Sequence, residues 1–178
     1  MSVRKSQRSE RNRISEHNTA VYAVRAGLPS DEDLHRAASI LNNNEKIAIL
    51  AGRGALGATD ELLALAEKLG APIVKALLGK GCVPDDSLYT TGGIGLLGTL
   101  PSQEAIEDCD VLFLIGTSFP YLEFLPKPGK AKGIQVDIDP LRIGLRYPVD
   151  VGLVGDTRRT LQRLLPLLEQ HEIGRAHV

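Results

Sequence analysis

The sequence predicts an α/β fold, a doubly wound parallel sheet of five to six strands with helices on both faces. Three observations carry that expectation. Short continuous apolar runs such as Ile47–Ala51 and Val111–Ile115 are too short for helices and suit strands buried on both faces. Segments with apolar residues at helical spacing lie between them. Glycine-rich stretches follow several of the runs, where the chain has to turn.

The elements follow in order. Ser30 can cap a helix, with Asp33 placed for a capping box and Asp31 and Glu32 in the first turn. Leu34, Ala37, Ala38 and Leu41 repeat at helical spacing, and Asn42-Asn43-Asn44 stops the helix. The strand Ile47–Ala51 leads to Gly52-Arg53-Gly54 and Gly57. A second helix begins at Ala58 or Thr59, lines one face with Leu62, Leu65, Ala66 and Leu69, and ends at Gly70. Pro72–Ala76 reads as a strand, and the glycine-rich stretch from Gly79 to Gly98 shows little periodicity. Pro101 fits the first turn of a short helix ending at Asp108. Strand Val111–Ile115 and a loop from Gly116 to Gly129 come next. Ile134, Val136 and Ile138 alternate with Gln135, Asp137 and Asp139, the period of a strand with one wetter face. After a short strand, Val151–Val154, Asp156 caps a helix carrying Leu161, Leu164, Leu165 and Leu168, whose last turn Pro166 should kink. Strands alternating with helices give βαβ units and a Rossmann-like layout, spanning residues 30–170 as one domain.

Composition narrows the function classes. The chain has 178 residues, 43% of them hydrophobic, with 21 basic and 22 acidic side chains. Residues 1–30 carry six basic and two acidic groups; the remainder carries 15 and 20. Arg4, Lys5, Arg8, Arg11 and Arg13 therefore form a basic arm within a 1–29 linker, read as a solvated tail, because no aromatic residue interleaves with it. The acidic body argues against a nucleic-acid face. Cys82 and Cys109 are too few for a disulfide scaffold or a cysteine zinc site. With no apolar run near the ~18 residues of a membrane span and no signal-peptide stretch, a cytoplasmic location is expected.

Candidate chemistry is confined to binding. None of His17, His35, His171 and His177 lies between the first and last strands, and no nucleophile elbow, zinc pair or carboxylate metal cluster occurs. No catalytic residue and no metal ligand is expected. Ligands of open parallel sheets bind beyond the carboxyl ends of the strands. Gly52 and Gly54 follow the first strand, where backbone amides can approach a phosphate. The acid that an ordinary NAD site needs about 20 residues on is absent; Val74 and Lys75 stand there. Asp137 ends a later strand and can accept from ribose hydroxyls or cap a turn, and for Asp139, before Pro140, the turn is preferred. The glycines at 92, 93, 95 and 98 suggest a backbone lying against a flat or extended ligand. Gly116-Thr117-Ser118-Phe119-Pro120-Tyr121 offers amides, hydroxyls and two rings that suit a ligand or the core equally.

Taken together, the segments resemble the central domain of thiamine-diphosphate-dependent enzymes, in the pyruvate oxidase and quinone-linked pyruvate dehydrogenase branch. The resemblance runs from about Leu28 to Leu168. It rests on Pro29-Ser30-Asp31, Gly52–Ala58, Ala76–Lys80, Gly95-Leu96-Leu97-Gly98, Gly116–Tyr121, Gln135–Pro140 and Val154-Gly155-Asp156. It implies a six-stranded NAD/FAD-binding sheet holding FAD. Gly95, Leu96, Leu97 and Gly98 with Gly116, Thr117, Ser118, Phe119 and Pro120 would lie along the flavin nucleotide, Asp137 would meet the adenosine ribose, and Gly52 and Gly54 the diphosphate. It further implies oxidative decarboxylation of a 2-oxo acid, with thiamine diphosphate and magnesium held by separate pyrimidine- and diphosphate-binding domains in a homo-oligomer. A quinone-linked enzyme would sit peripherally on a membrane. The alternative is a structural, non-redox central domain of an acetolactate synthase- or decarboxylase-like enzyme. The chain lacks the G-D-G…N magnesium motif, so it is expected to be part of an enzyme, not catalytic alone. The stretch 171–178, ending Ile173–Val178, resembles non-native read-through.

Overall fold

A computed structural model describes residues 27–171. The expectations for the basic arm, up to residue 26, and for residues 172–178 lie outside the described residues. His171 is described, and its amide donates to Lys68 O (2.8 Å).

Six strands form one all-parallel sheet: β1 Ile47–Ala51, β2 Ile73–Lys75, β3 Thr90–Gly93, β4 Val111–Ile115, β5 Lys132–Asp137 and β6 Val151–Val154. Their order is β3-β2-β1-β4-β5-β6, the doubly wound arrangement, with its switch point between β1 and β4. The helices are α1 Asp31–Asn42, α2 Thr59–Leu69, α3 Leu100–Asp108 and α4 Thr157–Leu164. β1 and β4 are buried at every position, which is why they read as unbroken apolar runs. One face of the sheet packs Ile49, Phe113, Ile134 and Leu153 against α1, α2 and α4. The other packs Leu50, Leu112 and Leu114 against Ile106 of α3 and the loop residues Phe119, Leu125 and Tyr147.

The helix ends follow from their capping residues. Ser30 Oγ accepts from Asp33 N (3.1 Å), and the hydroxyl donates to the Asp33 carboxylate (2.7 Å). Asp156 accepts from Arg159 N (3.0 Å) at the start of α4. Pro166 falls in a 3-10 turn, Leu165–Leu167, that ends the α-helical part of this segment.

Two elements differ from the sequence expectation. The stretch Gly79–Gly98 contains an edge strand, β3, which pairs with β2 through a register shift between Ile73 and Val74. Its residues, Thr90-Thr91-Gly92-Gly93, carry no apolar alternation. The second difference is in β5. The face of Gln135 and Asp137 is buried like the other, and Ile138, expected to face the core, is exposed beyond the strand.

Lys75, the last residue of β2, is 3% exposed and forms an ion pair with Asp85, closing the loop that leads to β3. Hydrogen bonding to Lys75 and its positive charge hold the Asp85 carboxyl below the usual aspartate range. A carboxyl with a depressed folded-state pKa stabilises the fold above its unfolded-state pKa, and that contribution is lost as pH falls through the folded-state value. Asp85→Asn is therefore expected to flatten the acid limb of a stability-against-pH curve below about pH 4, as read by urea midpoints. An acid limb identical to that of the unsubstituted chain would show that the pair contributes nothing.

No helix among the described residues is long and apolar enough to cross a membrane.

Candidate functional site at the carboxyl edge of the sheet

The loops leaving the carboxyl ends of β1, β3 and β4 meet beside the end of β5, and together they carry Gly52, Gly54, Gly95–Gly98, Gly116–Pro120 and Asp137. At the centre, β1 and β4 hand over to Gly52–Gly54 and Gly116. Gly52 N donates to Ile115 O (2.9 Å), Gly54 N to Gly116 O (2.9 Å) and Gly116 N to Val136 O (2.8 Å). A Cβ on Gly54 would stand 2.7 Å from Gly116 Cα. The missing side chains at 52 and 54 are thus explained by contact with the β4 loop. Both amides donate to protein carbonyls, so what Gly52 and Gly54 leave for a diphosphate is the room of an absent side chain and not a free N–H.

Beyond Gly116 the situation reverses. The amides of Thr117, Ser118 and Phe119 have no acceptor among the described residues, so this stretch presents three successive free donors at the end of a buried strand, an arrangement suited to an anion or a ring of polar atoms. Asp137, 6% exposed, ends the neighbouring β5. One carboxylate oxygen accepts from Asp139 N (3.0 Å), and the other has no partner among the described residues. Both readings of Asp137 therefore remain physically available, because a carboxylate can tie a turn with one oxygen and accept from a ligand with the other. Asp139 caps the next turn through Leu141 N (3.0 Å), as preferred from its place before Pro140.

Gly95–Gly98 forms a tight turn, closed by Gly98 N donating to Gly95 O (2.8 Å). Gly95 has φ +108°, a region that side chains rarely enter. A Cβ there would meet the Phe119 ring at 3.7 Å, so the turn lies directly against the loop after β4. Leu96 and Leu97 project from its tip, 82% and 95% exposed. Phe119 is buried and belongs to the core. Its ring meets Tyr121 edge to face (5.5 Å, 67°), and Tyr121 is half exposed. Of the two rings, Phe119 lines the core and Tyr121 does not.

Sequence reasoning missed two cations at this edge. The Arg53 side chain is exposed between the two glycines and has no ion-pair partner among the described residues. Arg142 lies 3.5 Å from Asp139 and donates to Ser118 Oγ (3.4 Å), linking the loops after β4 and β5. Arg53 was visible as a lone charge in a glycine turn. Arg142 had no comparable signal, since its partner on β4's loop is 24 positions away.

The described residues contain no group of three or more His, Cys, Asp or Glu side chains able to hold a metal. Both cysteines are buried. Burial pushes the Cys109 thiol up to about 12, which leaves it protonated and unreactive at neutral pH.

A family model described as "Thiamine pyrophosphate enzyme, central domain" matches residues 34–164. The chain is 46% identical over 144 residues to the "Putative thiamine pyrophosphate-containing protein YdaP" of Bacillus subtilis, covering 81% of this chain and 25% of that protein. It is 38% identical to the "Probable acetolactate synthase large subunit" of Methanocaldococcus jannaschii, covering 79% and 24%. Among solved structures, that of a "putative thiamin diphosphate-dependent enzyme" from Mycobacterium smegmatis superposes with a TM-score of 0.66 at 29% identity, covering 81% of this chain and 29% of the other. The chain spans about a quarter of the length of the curated relatives it matches.

Proposed function

Since the chain belongs to the central-domain family of thiamine pyrophosphate enzymes, we propose that it holds FAD at the carboxyl edge of its sheet and serves a pyruvate oxidase-like oxidative decarboxylation of a 2-oxo acid. The observation that carries this reading is the pairing of three free amides, at Thr117, Ser118 and Phe119, with the available oxygen of Asp137 on the adjacent strand. The residues fit the group. Asp137 would accept from ribose hydroxyls, the amides would donate to the polar nucleotide, and Arg53 would offset diphosphate charge. Gly95 and the exposed Leu96 and Leu97 would give an apolar flank to a flat ring. When bound, FAD supplies a two-electron acceptor; the chain's own residues bind it, orient it and shield one side from water.

The donor set for thiamine diphosphate and magnesium is different. The G-D-G…N pattern is absent from the sequence, and no step of thiamine chemistry is assigned to this chain. Those steps would belong to separate pyrimidine- and diphosphate-binding domains. The exposed Leu77, Leu78, Leu122 and Leu141 around the same edge suit a surface covered by such a partner, in a homo-oligomer.

The competing reading, a structural central domain without redox work, draws on the acetolactate synthase relative and on the internal use of the Gly52 and Gly54 amides. The two separate on purification. The FAD reading expects the full chain to take up FAD and show a bound-flavin absorption band. A colourless protein that takes up no flavin on incubation with FAD contradicts it and leaves the structural reading.

A further inference from the structure

We infer that Gln135 is the positioning residue of this edge, tethering the loop after β4 and the loop after β5 so that the free amides and Asp137 face one ligand. This rests on the nucleotide reading above.

Gln135 occupies the middle of β5 beside Leu114 of β4 and Gly152 of β6. It is 3% exposed. An uncharged amide in that position is costly unless each polar atom finds a partner. Here every partner is backbone of a site loop. Its Nε2 donates to Thr117 O (3.4 Å) on one side and to Arg142 O (2.9 Å) on the other, and its Oε1 accepts from Gly144 N (2.9 Å). One side chain therefore holds a point in the Gly116–Pro120 loop and two points in the turn that follows Asp137.

The bond to Thr117 O bears on the ligand-facing groups directly. Fixing that carbonyl fixes the peptide plane that carries the Ser118 N–H, the middle one of the three free amides. The bonds to Arg142 O and Gly144 N fix the far end of the turn that Asp137 and Asp139 begin. They also hold Arg142 where its guanidinium reaches Ser118 Oγ and the Asp139 carboxylate. A methionine of similar length would take the same place in β5, yet would tether nothing.

The test compares the full chain with Gln135→Met and Gln135→Glu by amide-resolved hydrogen exchange and by titration with FAD. Loss of the tether in Gln135→Met is expected to raise exchange at Gly144 by about tenfold and weaken FAD by about tenfold, the effect of losing one to two net hydrogen bonds. Gln135→Glu keeps an acceptor for Gly144 and loses both donors. It should retain Gly144 protection while FAD weakens, a split that a general loss of packing does not produce. Unchanged Gly144 exchange in Gln135→Met overturns the tether, and unchanged FAD affinity despite faster exchange overturns its positioning role. Should the unsubstituted chain bind no FAD, the nucleotide reading fails separately. The tether then stands or falls on the exchange result alone.

Discussion

Gly116→Val is expected to be among the most destabilising single substitutions in the chain, lowering unfolding free energy by about 4 kcal/mol or more. Gly116 has φ +59°, which costs a side-chain-bearing residue about 1–2 kcal/mol. Its Cβ would also stand 2.5 Å from both Cα and C of Gly54 and 2.8 Å from Ala55 N. These are backbone atoms of the 3-10 turn Arg53–Ala55 that follows β1, so no flexible side chain can move aside. The two loops must separate, and with them the Gly54 N to Gly116 O bond. Gly81→Ala supplies the contrast: its Cβ would meet only Leu56 Cδ2, at an ordinary 3.6 Å, and a change within about 1 kcal/mol is expected. Urea unfolding of the three proteins measures both. Equal midpoints for Gly116→Val and the unsubstituted chain would mean that the close approach of the two loops is not a feature of the folded protein.

Asp137→Asn is expected to separate ligand binding from folding. The amide oxygen of asparagine still accepts from Asp139 N, so the turn after β5 is kept and the melting temperature should change little. What is lost is the charged acceptor at the open position, and hydrogen bonds to a charged group contribute about 1.5–3 kcal/mol each. FAD affinity should therefore fall by about tenfold or more. Asp137→Ala removes both oxygens and should lose the turn as well, lowering stability and affinity together. Calorimetric titration and thermal melting on the same samples read the two effects. An Asp137→Asn protein that binds FAD as tightly as the unsubstituted chain would remove Asp137 from the site.

The fold was legible where local chemistry and packing coincide. α1 and α2 announce themselves through Ser30, Asp33, Gly70 and a one-sided apolar stripe, and β1 and β4 through unbroken apolar runs, since parallel strands at the sheet centre have no wet face. β3 was illegible because an edge strand of threonine and glycine is held by its pairing with β2, not by its own side chains. Gln135 and Asp137 looked solvent-facing for a related reason. Loop backbone satisfies every polar atom of Gln135 from up to 18 positions away and one carboxylate oxygen of Asp137, a compensation that no local pattern displays. In the candidate site, the glycine pattern pointed to the carboxyl edge but left the cause of each glycine ambiguous. An absent Cβ makes room equally for a ligand or for another stretch of backbone. At Gly52 and Gly54 the occupant is the chain around Gly116, more than 60 positions away. The sequence offered the amides of Gly116–Tyr121 but not which of them are free, since a donor is free only when the folded chain supplies no carbonyl to it.

The most direct measurement is an amide hydrogen-exchange footprint of the full chain with and without saturating FAD. A nucleotide seated on this edge must slow exchange at Ser118 and Phe119 and along Gly95–Gly98, while the α1 and α4 face on the far side of the sheet stays as it was. Exchange at those amides that is indifferent to FAD, or slowed only elsewhere, would contradict the assignment of the edge as a cofactor seat.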